Sequence, residues 1–239
     1  MFMFASSLKE LDVSNWDTSR VANMGVCLCL QATLTELDVS NWDTSRVTNM
    51  WSMFNGASNL TELDVSNWDT SNVTTMESMF HGASNLTELD VSNWDTSNVT
   101  HMWGMFHGAS NLTELDVSNW DTSRVTNMGS MFNAANFLRQ LTMPDSFFIT
   151  GGNSLGGIQL PPVPQNEIYT GRWQNVGEGS ARSPLGYFVL TSAELVAENF
   201  AGRTVGDTWV WQRIVPLPTI RTSSQLPLGV LGRVPTTQN

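Results

Sequence analysis

Hydrophobic positions in the first 145 residues return at a fixed interval. Leu-Asp-Val begins at Leu11, Leu37, Leu63, Leu89 and Leu115, 26 residues apart each time, and Leu141-Thr142-Met143-Pro144 continues the register in a worn form. A period in the twenties predicts stacked supersecondary units, because one such unit cannot bury its apolar face alone. Within a unit, alternation buries Leu63 and Val65 while Glu62, Asp64 and Ser66 face outward, which predicts one short strand per coil.

The strand is followed by Asn67-Trp68-Asp69-Thr70-Ser71, whose polar side chains bond readily to nearby backbone, so Asp69 is expected to close an Asx-turn. Val73, Met76, Phe80 and Ala83 then stand at helical spacing, with Met79 beside them and Gly82 where a left-handed cap would fall. Leu60-x-x-Leu63-x-Val65-x-x-Trp68 has leucine-rich-repeat spacing. The expected fold class is an α/β repeat solenoid: a leucine-rich-repeat-like right-handed coil with a parallel strand ladder and short helices, followed by a small α+β module. Residues 1–145 would hold about five coils and a divergent last one.

One interval breaks the pattern. Met24-Gly25-Val26-Cys27-Leu28-Cys29-Leu30-Gln31-Ala32-Thr33-Leu34 holds both cysteines and no Met-Phe, and the period aligns Val26–Leu34 with Ser52–Leu60. The peptide from Val26 to Thr33 can be encoded so that a shift of one base reads Met-Phe-Val-Phe-Ala-Ser-Asp, close to Met1-Phe2-Met3-Phe4-Ala5-Ser6-Ser7 of the same chain. A compensated pair of frameshifts, in the gene or its sequencing, is the expectation. Cys27 and Cys29 would then have no selected role, and this coil should form the weakest helix. A lone Cys-x-Cys supplies at most half a zinc site and no disulfide framework.

Beyond Asp145 the pattern changes. Gly151-Gly152, Gly156-Gly157 and Pro161-Pro162-Val163-Pro164 read as a linker over 146–168. In 169–212, Tyr169–Gln174 and Asp207–Gln212 read as strands, and Thr191-Ser192-Ala193-Glu194 reads as a capping box, giving a small α+β module. Residues 213–239 show no periodicity and are expected to be a disordered tail.

With 239 residues, 41% of them hydrophobic, the chain can bury a core, and no apolar run reaches the roughly 18 residues of a membrane span. No membrane insertion is therefore expected. The net charge of −11 is uneven: 17 Asp/Glu against 5 Lys/Arg up to Asp145, then 5 against 6. Such a field disfavours nucleic acid, whose phosphates require Lys and Arg. Stacking would place Glu10, Glu36, Glu62, Glu88 and Glu114 in one column and Asp12, Asp38, Asp64, Asp90 and Asp116 in another. Neighbours at ~4.8 Å repel by roughly 1 kcal/mol in water, so calcium or mild acid is expected to stabilise the repeats. The candidate ligand-binding face is Glu36, Asp38, Glu62, Asp64, Glu88, Asp90, Glu114 and Asp116. A weak cation stripe along Asp38, Asp64, Asp90 and Asp116, with calcium as its ion, is the leading metal candidate, ahead of His81 and His107 one coil apart, which read as exposed loop histidines; no cofactor is expected.

Catalysis finds no support. His81 and His107 occupy equivalent repeat positions, and His101 replaces a Thr or Asn of other coils. Residues that repeat or vary in this way make poor triad members, and no HExxH, P-loop or Gly-x-Ser-x-Gly is present. The expectation is a protein that is not an enzyme.

The units LDVSNWDTSNVT, MESMF and HGASNL resemble the BspA-like leucine-rich-repeat surface proteins, in the 25- to 26-residue form common in lactobacilli and related bacteria. The resemblance covers about residues 1–145, and YTGRWQNVGEGS, PLGYFVLTSAEL and DTWVWQ are similar to the region that follows the repeats in lactobacillal members. It implies an extracellular, wall-associated protein that adheres to host matrix proteins or to other bacterial surfaces. No signal peptide or LPxTG-type anchor is present, and Met1 falls directly on a Met-Phe element, so an interior fragment of a longer protein is expected. A passive surface stalk with no ligand, and a non-functional fragment of a frameshifted gene, are the alternatives.

Overall fold

In the computed structural model, which describes residues 8–30, 32–145, 147, 158–200 and 206–214, successive repeats lie over one another. Each coil delivers the same side chains to a shared interior: Leu63, Val65, Trp68, Val73, Met76, Met79, Phe80, Ala83 and Leu86 are all buried, as are Leu89 through Leu112 at the matching positions. Trp16, Trp42, Trp68, Trp94 and Trp120 stack with ring centroids 6.2–6.4 Å apart and planes within 7° of parallel. A second ladder runs through Phe54, Phe80, Phe106 and Phe132 at 5.6–5.8 Å. Offset aromatic stacking at such distances adds to the burial of the rings themselves.

The apolar stripe is where the periodicity places it, but its backbone is not helical. The amides of Met76, Ser78, Phe80 and Gly82 donate to the carbonyls of His101, Trp103, Met105 and His107 in the next coil, whereas those of Met79, His81 and Ala83 reach back three residues within their own. A helix would close every bond four residues back. Here alternate amides join neighbouring coils instead, and the short helices expected in the repeats are replaced by a stack of turns. Ser78 and Gly82 have φ of 55° and 70°, and the same two positions are left-handed in every described coil from Val26 to Ala134. Left-handed residues every fourth position are incompatible with a right-handed helix. They turn the chain so that Met76, Met79, Phe80 and Ala83 still face inward.

Strands are fewer than expected. A parallel pair forms between β1 (Glu114–Asp116) and β2 (Gln140–Met143), with Leu115 opposite Leu141. The segments at Leu37, Leu63 and Leu89 keep the exposed-buried-exposed alternation without a strand ladder, and Leu11 in the first is half-buried. Parallel bridges run instead through Asn23, Asn49, Thr75, His101 and Asn127. Further ties come from a buried threonine column: the hydroxyls of Thr44, Thr70 and Thr96 donate at 2.9 Å to the carbonyls of Asp69, Asp95 and Asp121 one coil on.

After the repeats come β3 (Tyr169–Asn175), β4 (Val189–Leu190), α1 (Ser192–Phe200) and β5 (Asp207–Arg213). β5 pairs antiparallel with β2 and with β3, so one open mixed sheet of order β1-β2-β5-β3-β4 runs from the last coils into the C-terminal elements. Regular structure among the described residues is therefore mostly sheet, with one helix. That helix begins with the reciprocal pair of a capping box: Glu194 accepts from the Thr191 amide at 2.7 Å, and the Thr191 hydroxyl accepts from the Glu194 amide at 3.2 Å. Ile158, Leu160 and Val163, from the segment expected to be a linker, are buried in the common core. Ser192 donates to the Pro161 carbonyl at 2.6 Å and accepts from the Trp173 indole at 3.1 Å, which fastens that segment to β3. The expected tail lies outside the described residues from 215 onward.

The aberrant coil keeps register. Amides of Met24, Val26, Leu28 and Leu30 donate to carbonyls of Asn49, Trp51, Met53 and Asn55, the pairing the next three coils use. Leu28 fills the place of the Phe ladder and is fully buried. Val26 and Leu30, however, carry φ of 50° and 60° where sibling coils place Ser or Gly and Gly or Ala. A β-branched residue in the left-handed region is a genuine outlier. The weakness expected of this coil takes the form of backbone strain, not of a poor helix.

Candidate functional site

The outward residues of the Leu-Asp-Val segments form two columns of exposed carboxylates. Glu10, Glu36, Glu62, Glu88 and Glu114 are exposed, as are Asp12, Asp38, Asp64, Asp90 and Asp116. At the last coil Glu114 stands opposite Gln140 and Asp116 opposite Thr142, so both columns end there.

The two columns differ chemically. Each aspartate folds onto the serine two residues on: Asp38 Oδ1 accepts from the Ser40 amide at 3.1 Å and its hydroxyl at 2.7 Å, and Asp12, Asp64 and Asp90 do the same with Ser14, Ser66 and Ser92. Asp116 accepts from the Ser118 amide at 2.9 Å. These bonds favour the charged carboxylate. The Ser14 hydroxyl and amide lower the Asp12 pKa below the usual carboxylate value, and those of Ser40 do so for Asp38, where repulsion from Asp12 is the smallest contribution. At Asp38, repulsion from the neighbouring coil is therefore weaker than local hydrogen bonding. The Asx-turn expected at Asp69 is present, with Ser71 donating at 3.0 and 2.6 Å. What sequence reasoning missed is that Asp-x-Ser occurs twice per repeat, and both copies make the same turn.

The glutamates have no such commitment. Glu36, Glu62, Glu88 and Glu114 have no hydrogen-bond or ion-pair partner among the described residues, whose one ion pair joins Arg172 to Glu194. The eight residues of the candidate face thus divide into four aspartates bonded within their own turns and four glutamates open to a partner.

No group of three or more His, Cys, Asp or Glu side chains is gathered for a metal ion among the described residues, the column of Asp38, Asp64, Asp90 and Asp116 included. His81 and His107 lie edge to face with centroids 4.6 Å apart, and burial followed by the neighbouring ring lowers the His81 pKa. Cys27 and Cys29 form no disulfide; burial pushes the Cys27 thiol up to about 11 and that of Cys29 upward as well. Neither is a poised nucleophile. No helix is long and apolar enough to cross a membrane among the described residues.

A family model described as "Mycoplasma protein of unknown function, DUF285" matches residues 1–89 and again 59–143, all but the C-terminal elements. The chain belongs to the DUF285 family. DUF285 is a BspA-like repeat family, and both matches fall on the stacked coils. Comparison with curated proteins and with solved structures gives no match.

Proposed function

We propose that the chain is part of a non-catalytic bacterial surface protein of the lactobacillal BspA-like type, a right-handed leucine-rich-repeat-like solenoid that binds other proteins through its acidic face. The observation supporting this reading is the glutamate column, which repeats at one register, faces solvent and has no internal partner. Repeating carboxylates present a partner with many equivalent contacts, and solenoids offer extended surfaces of this kind. The partners are host matrix proteins or bacterial surface proteins with basic patches, and the setting is extracellular or wall-associated. Nucleic acid is disfavoured on this face by charge.

The test is biosensor binding of the full chain to immobilised matrix proteins, with polylysine as an electrostatic control. Glu36→Gln, Glu62→Gln and Glu88→Gln combined should weaken matrix binding and flatten its salt dependence while leaving the fold intact. Unchanged binding would remove the acidic face from the interaction. No binding to any matrix protein would favour a second reading, a passive stalk, which the near-identical coils suit equally well. The strain at Val26 and Leu30 favours a third, a product of a frameshifted gene, and the codons at these positions test it.

A further inference from the structure

A pocket of about 480 Å³ at the junction of the last coils with the C-terminal strands is lined by three arginines. Arg139 comes from the residue before β2, Arg213 from the end of β5, and Arg182 from a turn in which Ser180 and Ser183 exchange backbone bonds at 3.1 and 2.9 Å. None of the three forms an ion pair among the described residues. Their positions are fixed by backbone: the Trp211 amide donates to the Arg139 carbonyl at 3.1 Å, and Arg213 stands opposite Tyr169 in the sheet.

A second observation falls on a residue of the same pocket. Trp211, 7% exposed, lines it, and its indole Nε1–H is buried with no acceptor among the described residues. A buried unpaired donor costs on the order of 1–3 kcal/mol and calls for an explanation. Tyr169 meets the Trp211 ring edge to face at 5.3 Å, which adds an aromatic wall. Glu114 and Gln140, paired across β1 and β2, complete the lining with hydrogen-bond acceptors.

We propose that this pocket binds a carboxylated sugar, with the arginines holding the carboxylate, Glu114 and Gln140 accepting from hydroxyls, and the ring lying against Tyr169 and Trp211. Guanidinium forks match a planar carboxylate. Glu114 disfavours a phosphate dianion while suiting a ligand rich in hydroxyls. The aromatic wall suits the apolar face of a pyranose, and the volume admits one or two rings. The site shares Glu114 with the end of the acidic face, but the test of that face alters only Glu36, Glu62 and Glu88, so the two readings fail separately.

The experiment titrates the full chain with D-glucuronate, following indole N–H resonances by NMR, with D-glucose and inorganic phosphate as separate arms. Glucuronate should bind with millimolar or better affinity and shift one indole N–H signal, which Trp211→Phe removes. The exposed pair Arg182→Ala and Arg213→Ala should weaken binding by about tenfold or more with the fold intact. Glucose binding as tightly as glucuronate, phosphate binding as tightly, no saturation with glucuronate, or an arginine double variant that binds normally would each overturn the proposal.

Discussion

The indole Nε1 of Trp68 donates to the carbonyl of Val39, 29 residues earlier and 3.1 Å away. That carbonyl also accepts from the Trp42 amide of its own coil at 3.1 Å, so a single oxygen closes one turn and fastens the next coil over it. Trp42, Trp94 and Trp120 repeat the bond to Val13, Val65 and Val91.

Trp94→Phe should therefore cost about 1–2 kcal/mol, most of it the lost bond to Val65. Trp94→Ala, which also opens the ring stack between Trp68 and Trp120, should cost about 3–5 kcal/mol. Urea unfolding of both variants checks the ratio. Equal losses would mean that the indole bond carries the stability and the stack adds nothing.

The tryptophan ladder was legible because a 26-residue period needs only equivalence between coils, and equivalence survives any local backbone. The turn stack was not. Val73, Met76, Phe80 and Ala83 satisfy a helical wheel, and left-handed residues at Ser78 and Gly82 bring the same set inward by another path. Glycines at 56, 82 and 108, four residues after Ser52, Ser78 and Gly104, were the available signal, since glycine tolerates positive φ. The division of the acidic face is legible in part: Asp-x-Ser at Asp69 predicts an Asx-turn, whereas at Asp64 the same spacing falls inside a segment whose alternation predicts a strand.

Relief of strain in the aberrant coil should stabilise the protein. At φ of 50° and 60°, Val26 and Leu30 each hold a conformation that costs an L-residue about 1–2 kcal/mol. Val26→Gly and Leu30→Gly should each raise the melting temperature, by an amount equivalent to about 1 kcal/mol after the added unfolded-state entropy of glycine is deducted. Gly82→Ala, at φ of 70° in a regular coil, should do the reverse. A melting temperature lowered by both glycine variants would show that side-chain packing at 26 and 30 outweighs the backbone cost.

Cys27 and Cys29 should resist thiol reagents while the protein is folded. Burial raises both thiols, Cys27 to about 11, so the reactive thiolate is scarce at pH 8. Ellman's reagent should react with neither until urea unfolds the chain, then with both. Fast reaction in the native state would mean that this coil opens locally.

Acid should destabilise the repeats, contrary to the expectation drawn from stacked carboxylates. Asp12, Asp17, Asp38, Asp43 and Asp121 all sit below the ordinary value of 3.8, chiefly through the serine two residues on. A carboxyl with a folded-state pKa below its unfolded value stabilises the fold fully above the unfolded value, and that contribution disappears as pH falls through the folded one. The melting temperature should thus stay level from neutral pH to about 5 and fall below about 4 as these turns lose their charged acceptors. Replacing Ser14, Ser19, Ser40 and Ser45 together by alanine should lower stability at neutral pH and make its loss in acid shallower. The aspartates would then titrate near their unfolded value, and only the weaker repulsion between coils would remain to be relieved. A melting temperature that rises between pH 5 and 3.5 would show that repulsion along the columns dominates the turns.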